Sequence, residues 1–213
     1  MILKPDQVVQ LYRRLAPHYD NIMIPLQLFG LESQRRQAIE RLALKEGDVV
    51  LDLGCGTGLN LSLLSERVGE SGQVIAVDLS SEMLEEAGAK TRHLRFNNVT
   101  LIQGNMLDYE PPVSFDAVLS TYALEMVPEY DRVIKRMAHA LNKSGRFVAL
   151  GLKHPESWPT WLVELSLLLA RPFKVSRAYE SIRPFDSIRT NLEVVEYQEF
   201  LTGAAYLCVG LKS

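Results

Sequence analysis

Cysteine is scarce in this chain: only Cys55 and Cys208 occur among 213 residues. That rules out a disulfide framework, and the two do not stand at metal-ligand spacing. Excess positive charge is missing too. Lysine and arginine number 23 against 26 acids, a formal charge of −3, so no basic footprint points to a nucleic-acid partner. No hydrophobic run reaches the roughly 20 residues a membrane helix needs. No charged-then-apolar leader opens the chain, which, with Cys55 as a reduced thiol, predicts a cytoplasmic protein. Internal repeats and low-complexity linkers are lacking. What is left is 47% hydrophobic and 23% charged residues, the balance of a globular chain with a substantial core.

The chain is organised around Val49-Val50-Leu51-Asp52-Leu53-Gly54-Cys55-Gly56-Thr57-Gly58-Leu59-Asn60. It reads as a buried parallel strand that runs into a glycine-rich turn and then a helix opening near Leu59. Glycines at 54, 56 and 58 remove every second side chain, so a ligand can lie on the backbone. The same triplet would also serve an ordinary tight turn. A dinucleotide fingerprint would be G-x-G-x-x-G, but Leu59 stands where its third glycine belongs. Asp52 lies two residues before the first glycine, an awkward neighbour for a pyrophosphate and a good one for a cation. The ligand implied is a nucleoside carrying an amino acid and a positive centre. Val74-Ile75-Ala76-Val77-Asp78 follows as a second strand ending in an acid, 22 positions after Gly56. That spacing suits a carboxylate accepting both hydroxyls of a ribose.

At this point the sequence resembles the class I S-adenosylmethionine-dependent methyltransferases, most closely the branch related to ubiquinone and menaquinone biosynthesis. The matching pieces are LDLGCGTG (51–58), VIAVDLSSEML (74–84), GNMLDY (104–109), FDAVLSTYALEMVPE (115–129) and MAHALNKSGRFVAL (137–150). The resemblance implies a Rossmann-like α/β fold: a doubly wound, seven-stranded, mostly parallel sheet with an antiparallel C-terminal hairpin and helices on both faces. Its parts would be an N-terminal lid (1–45), a cofactor-binding core (46–151), an acceptor-side insertion (152–190) and the hairpin (191–213). The implied cofactor is S-adenosylmethionine, with S-adenosylhomocysteine as product.

The cofactor-binding candidates are then Asp52, Gly54, Cys55, Gly56, Gly58, Asn60, Asp78, Leu79, Met83, Asn105, Met106, Thr121 and Tyr122. Leu79 and Met83 can sandwich an adenine ring. Asn105 stands where many relatives have an acid, and its amide oxygen can still accept from the adenine amino group. Thr121 and Tyr122 follow the fourth strand, at the carboxyl tips where open α/β sheets place ligands. In the lid, Tyr12 and Tyr19 are candidates to contact the methionine end or the acceptor. Relatives often carry a histidine pair or an Arg-Asn pair after the leucine where this chain has Glu125 and Met126. Tyr19, Glu125 and His154 are the catalytic candidates; His18, Glu125 and His154 are available to take a proton from an amine.

Ser33 is expected to cap a helix through Leu44, Ser80 or Ser81 the helix after Asp78, and a helix over Asp131–Asn142 to precede the fifth strand. The apolar run Leu162–Ala170 reads as a helix too short to span a bilayer. With Trp158, Trp161 and the following Arg171, Lys174 and Arg177, it suggests a greasy acceptor or peripheral membrane contact through 158–177. A soluble metabolite as acceptor, or a non-catalytic nucleoside-binding module of the same fold, are the alternatives; the chain would act as a monomer or homodimer.

Overall fold

The computed structural model describes residues 5–22, 30–169 and 181–213. In chain order the elements are α1 (Pro5–Leu15), a 3-10 turn (Ala16–His18), α2 (Leu31–Arg41), β1 (Val49–Leu53), α3 (Leu61–Val68), β2 (Gln73–Asp78), α4 (Ser81–Leu94), β3 (Val99–Gln103) and β4 (Phe115–Thr121). A 3-10 turn (Leu124–Met126), α5 (Tyr130–Ala140), β5 (Leu141–Leu152), α6 (Thr160–Leu169), α7 (Pro184–Asn191), β6 (Glu193–Phe200), a 3-10 turn (Leu201–Gly203) and β7 (Ala205–Leu211) complete them.

The strands form one seven-stranded sheet in the order β3-β2-β1-β4-β5-β7-β6. All neighbours are parallel except where β7 inserts antiparallel between β5 and β6. Two antiparallel steps leave β6 running with β5, so the ends of both point to the same edge as those of β1 to β4.

Alternation along the strands fills both faces. From β1 and β2, Leu51, Leu53, Ile75 and Val77 pack with Ile134 and Met137 of α5 and Ile188 of α7. Val50, Val74 and Ala76 face the other way, onto Ile39 of α2, Leu64 and Val68 of α3 and Ala87 of α4. Each such buried aliphatic side chain contributes about 1.5–3 kcal/mol. Asp52 shares the second face, fully buried among these apolar groups.

Some boundaries differ from the sequence expectation, each for a local reason. The helix expected from a Ser33 cap starts at Leu31, because Gly30 takes φ 87° and carries the chain into it. Helix α3 opens two residues later than Leu59, since the turn continues to Asn60. Helix α5 stops at Ala140 and Leu141 is already extended. Tertiary bonds capture the next residues: Asn142 Nδ2 donates to Asp116 Oδ1 at 2.8 Å and Ser144 N to the Lys212 carbonyl at 2.9 Å. Helix α7, inside the expected insertion, was not anticipated. No helix among the described residues is long and apolar enough to cross a membrane.

Candidate active site

The site is built where β1 stops. Gly54 N and Cys55 N both donate to the Val77 carbonyl, at 2.8 and 3.1 Å, which ties the glycine turn to β2. Gly54, Gly56 and Gly58 all have positive φ, at 79°, 55° and 79°, but their surroundings differ. A Cβ on Gly54 would lie 2.3 Å from the Ala123 Cβ, and one on Gly58 would lie 2.7 Å from Leu61 Cδ1. A Cβ on Gly56 would meet nothing within 4 Å. The expectation that all three glycines bare the backbone for a ligand is therefore corrected. Gly54 and Gly58 make room for protein neighbours, whereas Gly56 borders open space.

That space is a cleft of about 970 Å³, counting its open mouth. It is lined from the tips of β1 to β4: Gly54, Cys55 and Gly56; Asp78, Leu79 and Met83; Asn105 and Met106; Thr121 and Tyr122. Tyr19 and Arg35 reach it from the N-terminal segments. Asp52, Gly58 and Asn60 do not line it.

Asp78 organises one end. Its Oδ2 accepts from Gly56 N at 2.8 Å and its Oδ1 from Ser80 N at 2.9 Å. The Ser80 hydroxyl in turn caps α4 by accepting from Met83 N. Burial raises the Asp78 pKa from the ordinary carboxylate value, against these backbone donors, which lower it. Each carboxylate oxygen keeps acceptor capacity for a further donor.

Under the β1 and β4 tips lies a polar network. Asn60 Nδ2 donates to both Asp52 oxygens at 3.2 Å and to Thr121 Oγ1 at 3.1 Å. Arg35 Nη1 donates to the same hydroxyl at 3.1 Å. Asp52 and Asn60 thus act beneath the cleft, orienting Thr121. Burial pushes the Asp52 carboxyl up to about 7. Tyr122 holds a left-handed φ of 55° just past β4, a conformation costing about 1–3 kcal/mol that surrounding contacts must impose. Those contacts are its N–H to the Leu150 carbonyl at 2.7 Å and its hydroxyl to Gln34 Oε1 at 2.8 Å.

Residues 44–165 match the sequence family of the methyltransferase domain. Over 159 residues the chain is 38% identical to the 2-phytyl-1,4-naphtoquinone methyltransferase of Synechococcus elongatus, covering 73% of this chain and 68% of that one. The chain belongs to the methyltransferase domain family. It is an S-adenosylmethionine-dependent methyltransferase. Demethylmenaquinone methyltransferase of Oceanobacillus iheyensis is similar along nearly the whole length, 27% identical over 99% of this chain and 97% of its own. Among solved structures, a SAM-dependent methyltransferase from Aquifex aeolicus shares the fold, with a TM-score of 0.61 at 20% identity over 99% of this chain and all of the other.

The cleft of the methyltransferase suits that cofactor on two counts. Bare backbone at Gly56 leaves room for a nucleoside to lie against the turn, and Asp78 presents a carboxylate beside it with acceptor capacity left.

The methyltransferase closes this region with its N-terminal segment. Asp20 Oδ1 accepts from the Thr57 hydroxyl at 2.7 Å. Its Oδ2 accepts from Lys90 Nζ at 2.5 Å, and Lys90 also donates to the Thr57 carbonyl at 2.8 Å. The clasp holds residues 19–22 against the glycine turn and brings Tyr19 to the cleft. Burial raises the Tyr19 hydroxyl above its ordinary value, so it stays a neutral donor. Tyr12 also lines the cleft, its ring 6.1 Å from that of Tyr19.

Of the three catalytic candidates, Tyr19 alone lines the cleft. Glu125 is buried in the core, accepting from the Tyr206 hydroxyl at 2.9 Å, with its carboxyl packed on Gly151; burial pushes it up to about 7. The expectation of Glu125 as a catalytic candidate that takes a proton from the acceptor is thereby corrected. His154 lies just past β5, partly exposed and outside the lining, and His18 is exposed. Arg35, Gln34, Asp20 and Lys90 are the residues that sequence reasoning missed. Arg35 and Thr121 are 86 positions apart and Lys90 and Asp20 are 70 apart, so no local pattern marks them. Arg171, Lys174 and Arg177 lie outside the described residues.

Proposed function

We propose that this methyltransferase transfers a methyl group in line to a hydrophobic, quinone-type acceptor. The observation that carries the reading is the apolar part of the cleft lining: Val8, Tyr12, Leu107, Met126, Val127 and Pro128. Both relatives above carry names of naphthoquinone or menaquinone methyltransferases, which supports the same acceptor class.

On this reading Asp78 accepts the ribose hydroxyls and the backbone around Gly56 carries the nucleoside. Leu79 and Met83 flank the adenine ring; Asn105 and the Met106 amide meet its edge. Thr121 and Tyr122 border the amino-acid end, and Tyr19 stands at the acceptor side. S-adenosylmethionine, when bound, supplies a methyl group already activated on a sulfonium. The chain's own work is to orient the acceptor and keep water out, which can contribute on the order of 7–11 kcal/mol. Among the described residues, the lining contains no histidine or glutamate. The Tyr19 and Tyr122 phenols are both held above their ordinary values by burial, so they act as hydrogen bonders and not as bases.

Contact with a bilayer surface belongs to the same reading. Trp161, Leu165 and Leu168 recur at helical spacing along α6 and are exposed, Trp161 by 67%. Leu152 at the end of β5 and Leu201 after β6 are exposed at the same sheet edge, and three basic residues follow α6 in the sequence.

The test is a labelled-methyl assay. The purified chain, with S-adenosylmethionine, is offered a prenylated demethylnaphthoquinone in detergent or a pool of water-soluble amines and phenols. Label should enter the naphthoquinone; label confined to the soluble pool would overturn the acceptor assignment.

A further inference from the structure

The stretch after β4, Tyr122 to Pro128, divides its side chains between cleft and core. Ala123, Met126, Val127 and Pro128 line the cleft. Leu124 and Glu125 are outside the lining and buried, 1% and 3% exposed. The start of the stretch is fixed by the two Tyr122 hydrogen bonds described above. Its middle is the short 3-10 turn, in which Met126 N donates to the Ala123 carbonyl at 3.0 Å and Val127 N to the Leu124 carbonyl at 3.1 Å.

Glu125 is the charged side chain of this stretch, and its carboxyl sits in a fitted socket. Gly151 of β5 stands opposite Tyr206 of β7 in the sheet register. A Cβ on Gly151 would overlap the Glu125 carboxylate and lie 2.9 Å from Tyr206 Cε1, so bare backbone is what admits both groups. The Tyr206 hydroxyl donates to Glu125 Oε1 at 2.9 Å. Burial raises that hydroxyl well above its ordinary value, so it keeps its proton and remains a donor. The Tyr206 ring is itself wedged, its centroid 5.1 Å from that of Phe185 in α7 and 6.4 Å from that of Tyr197 in β6. An apolar pair of the same shape would fill this space without desolvating a carboxyl. A hydrogen bond adds direction, because it holds the turn at one distance and angle from β7.

We propose that the Glu125–Tyr206 hydrogen bond, seated over Gly151, sets where Met126, Val127 and Pro128 stand and so how the methyl acceptor fits. Both are positioning residues: neither lines the cleft, and each acts through the turn. The proposal rests on the acceptor reading above and names what holds the apolar wall in that reading. Tyr122 secures the other end of the stretch independently, so the effect falls on the acceptor and not on the cofactor.

Steady-state kinetics on the full chain, with prenylated demethylnaphthoquinone and S-adenosylmethionine varied in turn, separate this role from a structural one. Tyr206→Phe removes the hydroxyl and should raise the KM for the naphthoquinone roughly threefold to tenfold, with the KM for S-adenosylmethionine within twofold of wild type. Glu125→Gln keeps an acceptor oxygen for the tyrosine and should stay within twofold of wild type on both. The double variant Glu125→Met, Tyr206→Phe leaves no buried polar group unpaired, so it should fold and still show the raised naphthoquinone KM. Unchanged KM values in Tyr206→Phe, a parallel rise of both, or a wild-type naphthoquinone KM in the double variant would each overturn the proposal. A wild type that methylates no naphthoquinone removes the acceptor reading instead. Amide exchange then decides: faster exchange over 123–128 in Tyr206→Phe, with β1 unchanged, sustains the positioning role, and equal rates overturn it.

Discussion

Three glycines of one turn carry separate duties, and substitution should tell them apart. Alanine at Gly54 adds a clash with the Ala123 Cβ to the penalty of a left-handed φ, so it should destabilise the fold by about 2–4 kcal/mol. Alanine at Gly56 meets open space and should cost only about 1–2 kcal/mol. Valine there fills the floor of the cleft. Its unfolding temperature should stay within a few degrees of the alanine variant, while calorimetric binding of S-adenosylhomocysteine disappears. Retained binding would mean that the nucleoside lies elsewhere.

Glu125 gives a second residue-scale test. Its folded pKa of about 7 exceeds the ordinary 4.5, so between these values the folded state holds a proton that the unfolded state has lost. Stability from this group is complete below about pH 4.5 and drains away as pH rises through 7. At 1.36 kcal/mol per pH unit the loss is at most about 3 kcal/mol. Glu125→Gln carries no such charge. The stability difference between variant and wild type, followed by chemical unfolding, should move toward the variant by up to that amount between pH 4.5 and pH 8. A difference flat across this range would show that Glu125 is not held neutral. That Asp78 and Gly56 stand beside the cleft was legible from local spacing, whereas Gly54 and Gly58 look the same in sequence and are told apart only by their neighbours Ala123 and Leu61. Glu125 was misjudged because its partner Tyr206 lies 81 positions away, and nothing near it in the chain says it is buried.

At the scale of elements, the clasp of Asp20, Lys90 and Thr57 ties together three pieces: the N-terminal segment, α4 and the glycine turn. The pair is about a third exposed, so its net effect on global stability is small, under about 1 kcal/mol. Its effect on the cleft should be larger, because it adjoins Tyr19, which lines the cleft. Lys90→Met should weaken cofactor affinity roughly threefold to tenfold and speed protease cleavage within the first 22 residues, with little change in unfolding temperature. Unchanged cleavage and unchanged affinity together would show that the segment is held by α1 packing alone. Most elements were readable from periodicity and turn residues. Those misread were decided by distant partners: α5 ends early because Asp116 and Lys212 capture the chain after it, and α7 is a short helix that starts at Pro184 and packs on α5.

For the whole molecule, the sheet order brings everything chemical to one edge. The same edge carries Leu152 and Leu201, and just before α6 the Trp158 indole N–H and the Ser157 hydroxyl donate to Thr202. Sedimentation with vesicles of phosphatidylcholine and phosphatidylglycerol should pull down the wild-type chain, and a Trp161→Ser, Leu165→Ser, Leu168→Ser variant should remain in the supernatant with its cofactor affinity intact. Equal sedimentation of both would remove α6 as the contact.

On the proposed reading, a cleft and a greasy rim that open on the same side would change what substrate concentration means. An acceptor dissolved in lipid would reach the cleft by sliding within a sheet two molecules thick, never crossing water. Turnover would then follow the mole fraction of acceptor among the lipids, and adding inert lipid at constant molarity would slow it.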